Sequence, residues 1–264
     1  MPLKKTELDR IAAKARLAVL AAGEIIREHF VLPKDVRRKG RIDLVTATDL
    51  AVEKALMHSL AEVLPGCAFL AEETAGHTAL DRPTWIIDPV DGTTNFAHQI
   101  PFVATSVALW AEGEIALAVV NAPILGECFT AQKGGAAFVN DRPLRVSTAA
   151  EPENALVATG FPYTIRDDVD RILPPLRAML LATRGVRRQG AASIDLAYVA
   201  AGRFDAFYEI GLKPWDTAAG LLLVAEAGGM VSRFDGQTPY ALGDPDILAS
   251  NGRLHPDMAR LIAG

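Results

Sequence analysis

A mixed α/β fold is predicted for this chain, and three observations predict it. Residues 6–30 carry an apolar stripe at helical spacing: Leu8, Ile11, Ala15, Ala18, Val19, Ala22, Ile25 and Ile26. Residues 103–147 hold short strand-like runs separated by turn signals such as Glu112-Gly113 and Asn140-Asp141. From residue 155 onward, strands and helices alternate. The first half therefore reads as an antiparallel-rich lobe and the second as an α/β lobe, divided near Ala149-Ala150-Glu151-Pro152. With 264 residues, 50% of them hydrophobic, the chain can bury a large core. A single catalytic domain over 1–264 is expected, with sub-lobes near 1–150 and 151–264 and a cleft between them.

The elements follow in order. Thr6 with Asp9 has the spacing of a capping box for the first helix. A basic stretch over 33–42 leads to a short β-like run, Asp43 to Thr46, and Asp49 opens a second helix through Leu64. Pro65-Gly66 ends that helix, and Ala68 to Ala71 is a strand stopping at Glu72-Glu73. Trp85 to Asp88 is an apolar strand. Val103 to Trp110 and Ile115 to Asn121 form a hairpin, followed by strands at Glu127 to Ala131, Ala136 to Val139 and Leu144 to Ser147. In the second half, strands are predicted at 155–159, 186–188, 204–208, 230–233 and 247–249. Helices are predicted at 168–183, 193–201, 214–227 and 255–263, the second ended by Gly202 and the third by Gly228-Gly229.

Composition narrows the function. A net charge of -5 disfavours a general nucleic-acid binder. Arg184, Arg187 and Arg188 read as a solvated surface cluster. The two cysteines make neither a disulfide framework nor a zinc spacing. Neither a signal-peptide apolar region nor an apolar run of about 18 residues is present, so a cytoplasmic protein outside the membrane is expected.

The chemistry concentrates in Trp85-Ile86-Ile87-Asp88-Pro89-Val90-Asp91-Gly92-Thr93-Thr94-Asn95-Phe96. A buried strand ends on two acids three residues apart, with no lysine or arginine nearby. Carboxylates held that close repel, which calls for raised pKa values or a bound cation. The glycine and threonines that follow suit an anion at a helix start. Glu72, Asp49 and Asp216 stand at three other element ends. Each has a plain structural reading: a salt bridge for Glu72 and Asp88, a helix cap or dipole partner for Asp49 and Asp216. The cap reading leaves the bulky Trp215 and the small Ala218-Ala219-Gly220 face unexplained.

Taken in order, these segments resemble the inositol monophosphatase family of magnesium-dependent, lithium-sensitive phosphatases. The residues that carry the resemblance are Asp43 to Asp49, Ala71-Glu72-Glu73-Thr74, Trp85 to Phe96, Trp215 to Gly220 and Glu226-Ala227-Gly228-Gly229. Family members usually have glycine and serine where Ala71 and Thr74 stand here; the carboxylates are kept. The resemblance implies a layered αβαβα sandwich, a homodimer and two to three Mg²⁺ per subunit. It implies that Glu72, Asp88 and the Val90 carbonyl hold one ion, and that Asp88, Asp91 and Asp216 hold a second. Oxygen-only ligands suit hard Mg²⁺. It further implies that Thr93, hydrogen-bonded to Asp49, orients a metal-activated water, and that Gly92 and Thr93 cradle the phosphate. Asp49, Thr93 and Glu72 are thus the expected catalytic residues. Lys39, or Arg38 in its place, is expected near the phosphate, with a solvated loop as the plain alternative. Glu209, the Ala192 backbone, Asp91 and Asp216 are expected to contact the alcohol. The leading substrate is a myo-inositol monophosphate. The same chemistry on histidinol phosphate, fructose 1,6-bisphosphate, NADP or a 3′-phosphoadenosine phosphate is the first alternative, and a regulatory binding role with the transcription machinery the second.

Overall fold

The computed structural model describes residues 5–32, 36–38, 44–74 and 79–264. Helix α1 spans Lys5–Phe30, and its buried stripe includes Ile11, Ala15, Val19, Ala22 and Ile26. Thr6 lies inside this helix rather than before it, so the predicted capping box is not formed. The capping box belongs instead to α2, Ala47–Val63. There Thr46 is the N-cap, and Asp49, the third helical residue, returns a bond to the Thr46 backbone. A short antiparallel ribbon, β1 (Val36–Arg38) and β2 (Leu44–Thr46), precedes it.

A seven-stranded sheet follows: β3 (Ala68–Ala71), β4 (Thr84–Asp91), β5 (Ala104–Ala111), β6 (Glu114–Ala122), β7 (Glu127–Gln132), β8 (Ala137–Val139) and β9 (Arg142–Pro143), in that spatial order. Only β3 and β4 pair in parallel. The strand predicted at Leu144 to Ser147 does not form; the Leu144 N–H still donates to the Ala137 carbonyl of β8 at 2.8 Å, but the Val146 N–H donates away from the sheet, to the Ala227 carbonyl. Helix α3 (Thr93–Ala97) sits between β4 and β5.

The second sheet has five strands in the order β11 (Gly185–Arg187), β10 (Leu156–Thr159), β12 (Ala206–Ile210), β14 (Asp246–Ser250) and β13 (Met230–Ser232). Strand β10 is parallel to both its neighbours, whereas β14 is antiparallel to both of its own. Helices α4 (Ile165–Ala182), α5 (Ala192–Ala200), α6 (Pro214–Glu226) and α7 (His255–Ala263) complete the fold.

These elements stack in five layers. Helices α1 and α2 cover one face of the seven-stranded sheet through Ile11, Leu56, Trp85, Val107 and Val119. Its other face packs on α5 and α6, which also meet the five-stranded sheet through Ile194, Leu223, Phe207 and Ala249. Helices α4 and α7 close the far side around Met179, Tyr208 and Met258. The layered αβαβα arrangement expected from the resemblance is therefore observed. The middle layer is thin because its residues are small. A methyl group on Gly220 of α6 would stand 2.5 Å from Leu196 Cβ of α5, closer than carbon atoms approach.

Candidate active site

Strand β4 runs past the predicted end at Asp88 to Asp91, and all eight residues are buried. Between those two acids the register against β5 slips: Asp88 faces Ser106 and Asp91 faces Ala104. Three steps on one strand oppose two on the other, which is a β-bulge. Side chains alternate along a strand, so residues three apart would ordinarily point to opposite faces. The bulge cancels that alternation. It turns both acids toward the α5–α6 layer, while Val90 packs with the α1–α2 core. Pro89, with no N–H to give to the ladder, is tolerated at such a point.

Asp88 is 2% exposed, and its Oδ1 has no hydrogen-bond partner among the described residues. Burial, then the charges of Glu72, Asp91, Asp216 and Asp49, hold its carboxyl well above the ordinary range. Asp91 accepts from the Ser193 backbone N–H at 2.7 Å and the Ser193 hydroxyl at 2.5 Å. The Ala192 N–H also bears on it, so the first turn of α5 is aimed at this carboxylate. Burial still pushes Asp91 up to about 6 against those bonds. Asp216, third residue of α6, accepts from the Lys213 N–H at 2.7 Å. Burial raises its carboxyl well above normal, and Asp91 and Glu72 add to the rise. Glu72 follows β3, held by its backbone N–H on the Ile87 carbonyl at 3.1 Å.

Asp49 is fully buried and divides its carboxylate between two tasks. Oδ2 accepts from the Thr46 N–H at 2.9 Å and from the Thr46 hydroxyl. Oδ1 lies 3.1 Å from the Thr93 hydroxyl. That hydroxyl has one proton and two acceptors in reach, the second being the Val90 carbonyl at 3.0 Å. Burial is the main cause of the raised Asp49 pKa, opposed by these bonds. Gly92, at φ +90°, caps α3 in the left-handed region that glycine adopts without strain. A Cβ there would also meet the Phe102 carbonyl at 2.9 Å.

On the other side of the α5–α6 layer, Glu209 is 8% exposed and pushed up to about 8. Burial is the largest cause; Asp216 and Asp91 add to it, and Arg188 opposes it. The structure thus brings Asp49, Glu72, Asp88, Asp91, Thr93, Ala192, Glu209 and Asp216 into one electrostatically connected region. Lys39 lies outside the described residues.

Several neighbours escape the sequence reading. Glu53, one turn after Asp49, is buried and accepts the Glu73 N–H at 2.9 Å, tying α2 to the Glu72 turn. Its spacing of four from Asp49 was the available signal. Asn95 joins the two halves by donating to the Phe102 and Gln189 carbonyls at 2.8 and 2.9 Å. Asp195 is 1% exposed and raised well above normal by burial, then by Glu209 and Asp91. Arg188 corrects the surface-cluster reading in one respect. Its side chain is exposed, yet its charge acts on Glu209 and Asp195, and its guanidinium lies 5.5 Å from the Phe161 ring centre. Arg188 directly follows β11, whose place beside β10 is decided by sheet order.

The fit to divalent cations can be judged from these donors. Among the described residues, no three His, Cys, Asp or Glu side chains close around a single point. The acids stand apart, as like charges do, yet near enough to raise one another. Their oxygen-only chemistry and the orphaned Asp88 Oδ1 suit Mg²⁺.

Comparison with known proteins agrees with this geometry. The model of the inositol monophosphatase family matches residues 7–263. The inositol-1-monophosphatase of Caulobacter vibrioides is 42% identical over 226 residues, which is 84% of this chain and 88% of that protein. The Nus factor SuhB of Salmonella typhimurium is 40% identical over 90% of each chain. Among solved structures, the inositol monophosphatase from Anabaena superposes with a TM-score of 0.88 at 35% identity, covering 97% of this chain and 96% of the other. The extragenic suppressor protein suhB from Bartonella henselae gives 0.88 at 38% identity, covering 93% and 95%. Sequence, layer order and fold similarity together make this chain a member of the inositol monophosphatase family.

Proposed function

We propose that this protein is a Mg²⁺-dependent phosphomonoesterase acting on small polyol monophosphates, with myo-inositol monophosphate as the leading substrate. The observation that carries the reading is Asp88: a buried carboxylate with one oxygen unpartnered among the described residues, on which four further acids act. A buried charge without a partner is costly, and such sites persist where a cation completes them. Glu72, Asp88 and the Val90 carbonyl are assigned to one ion, and Asp88, Asp91 and Asp216 to another. When bound, such ions supply positive charge against the phosphoryl oxygens and acidify a water.

The remaining steps belong to the chain. Asp49 draws the Thr93 proton toward Oδ1, which leaves the hydroxyl oxygen free to accept from the attacking water. Phosphate is assigned to the N–H groups of Gly92 and Thr93. Ser193 and Ala192 orient Asp91. Glu209 is assigned to the hydroxyls of the alcohol, and the lobes near 1–150 and 151–264 each contribute part of the site. The homodimer and lithium inhibition belong to the same reading.

A steady-state panel of myo-inositol monophosphate, histidinol phosphate, fructose 1,6-bisphosphate, NADP and 3′-phosphoadenosine phosphate, run with and without Li⁺, tests the assignment. The expected result is the highest kcat/KM on the inositol phosphate and none with Asp88→Asn. A highest value on histidinol phosphate would overturn the substrate; activity surviving in Asp88→Asn would overturn the metal assignment. The 40% identity to a Nus factor favours a second reading, a binding role beside the transcription machinery. A pull-down with catalytically silent Asp88→Asn separates the two.

A further inference from the structure

Strands β10 and β12 run parallel, with Thr159 beside Tyr208. Along them, Val157 and Tyr208 face α4 and α7, whereas Ala158 and Phe207 face the α5–α6 layer. The same alternation turns Gly160 and Glu209 toward α5 and α6. A Cβ on Gly160 would lie 2.1 Å from Glu209 Oε2, and 2.3 Å from both Cδ and Oε1. Its three nearest neighbours are all atoms of that one carboxylate. Gly160 is not in the left-handed region, so its φ does not itself call for glycine. The glycine is therefore required by the carboxylate and not by the chain path. The next residue, Phe161, supports the Arg188 guanidinium, whose charge acts on Glu209.

We propose that the Gly160-Phe161 step is the seat of the Glu209 carboxylate and so determines specificity for polyol phosphates. Gly160 leaves the space in which the carboxylate lies, and Phe161 holds the cation that acts on it. Both are positioning residues, since they act through Glu209. The inference rests on the assignment of Glu209 to substrate hydroxyls made above. Carbon and oxygen atoms not bonded to each other stay more than 3 Å apart, so alanine at 160 displaces the carboxylate by about 1 Å or more. A hydrogen bond to a charged group does not survive that shift. Its loss lowers affinity by about 10- to 100-fold.

The experiment compares kcat/KM on myo-inositol monophosphate with kcat/KM on phenyl phosphate, whose alcohol carries no further hydroxyl. Gly160→Ala is expected to lower this ratio about 10- to 100-fold, chiefly by raising KM for the inositol phosphate. Glu209→Ala lowers it similarly, and adding Gly160→Ala to Glu209→Ala changes it no further, because the colliding group is gone. Any fall in melting temperature caused by Gly160→Ala is likewise relieved in the double variant. Phe161→Leu probes the other half of the seat and also lowers the ratio. A high wild-type ratio retained by Gly160→Ala, or lowered equally in the Glu209→Ala background, overturns the proposal alone. A wild-type ratio near one overturns the polyol reading and this inference with it.

Discussion

Replacing Asp88 by asparagine is expected to stabilise the metal-free protein while destroying its activity. Asp88 is 2% exposed, Oδ1 is unpaired among the described residues, and four acids act on it. An uncompensated buried charge of this kind costs a fold several kcal/mol, and the neutral amide removes most of that while leaving one buried polar group. The net gain is about 2 kcal/mol, equal to roughly 4–8 °C in Tm for a chain of this size. Addition of Mg²⁺ at about 100 times its Kd should stabilise the wild type by about 2.7 kcal/mol, and the variant hardly at all. The two proteins therefore exchange rank between EDTA and saturating MgCl₂. The pH dependence has a definite sign. The folded pKa of Asp88 lies above its unfolded value, so its penalty is absent below the unfolded pKa, grows as pH rises from there, and is complete once pH passes the folded pKa. Without metal, the advantage of Asp88→Asn should shrink on acidification. Calorimetry in EDTA and in MgCl₂ at matched ionic strength measures all of this. A lower Tm for Asp88→Asn in EDTA, or an undiminished Mg²⁺ stabilisation, would refute the argument.

Two further outcomes are expected. Thr93→Val keeps the side-chain shape but removes the hydroxyl shared by Asp49 and Val90; kcat should fall about 10²- to 10³-fold with little change in KM, and an unchanged kcat in steady-state assays would remove Thr93 from the chemistry. His255 is buried between Ser232, 2.7 Å from Nε2, and Ser250, 2.8 Å from Nδ1, and burial lowers its pKa below 6.5. The unfolded chain therefore binds a proton before the folded one does, so this contribution is complete above pH 6.5 and is lost as pH falls through the depressed value. Denaturant unfolding of His255→Gln over that range should show a flatter pH profile than the wild type; parallel profiles would exclude the histidine.

Much of this molecule was legible in the chain alone. The stripe on α1, the punctuation by Pro65-Gly66 and Gly228-Gly229, and the alternation of the second half are local consequences of side-chain size and backbone freedom, and they reappear in the structure within a few residues. The candidate acids also stand out in the chain, because a carboxylate at the end of an apolar strand is expensive wherever it stands. The failures were tertiary. Thr6 has the right spacing for a cap, but the helix begins before it. Leu144 to Ser147 has strand-like residues, but after the Leu144 N–H bonds the Ala137 carbonyl of β8 the segment turns to the Ala227 carbonyl instead of continuing a ladder. Arg188 sits in a run of arginines that looks solvated, and only the placement of β11 beside β10 carries its charge to Glu209.

The division between the two kinds of information has a physical cause. Which residues are acidic, which segments bury an apolar face and where the chain can turn are all written in the amino-acid order, since they follow from chemistry within a few residues. It took the packed fold to set a bulge between Asp88 and Asp91 that turns both toward α5 and α6. The same packing decided that Ser193 would meet Asp91 across 102 residues of chain, and that Gly160 would make room for Glu209. Register, layer order and close approach depend on how faces pack against one another, and no local spacing encodes them.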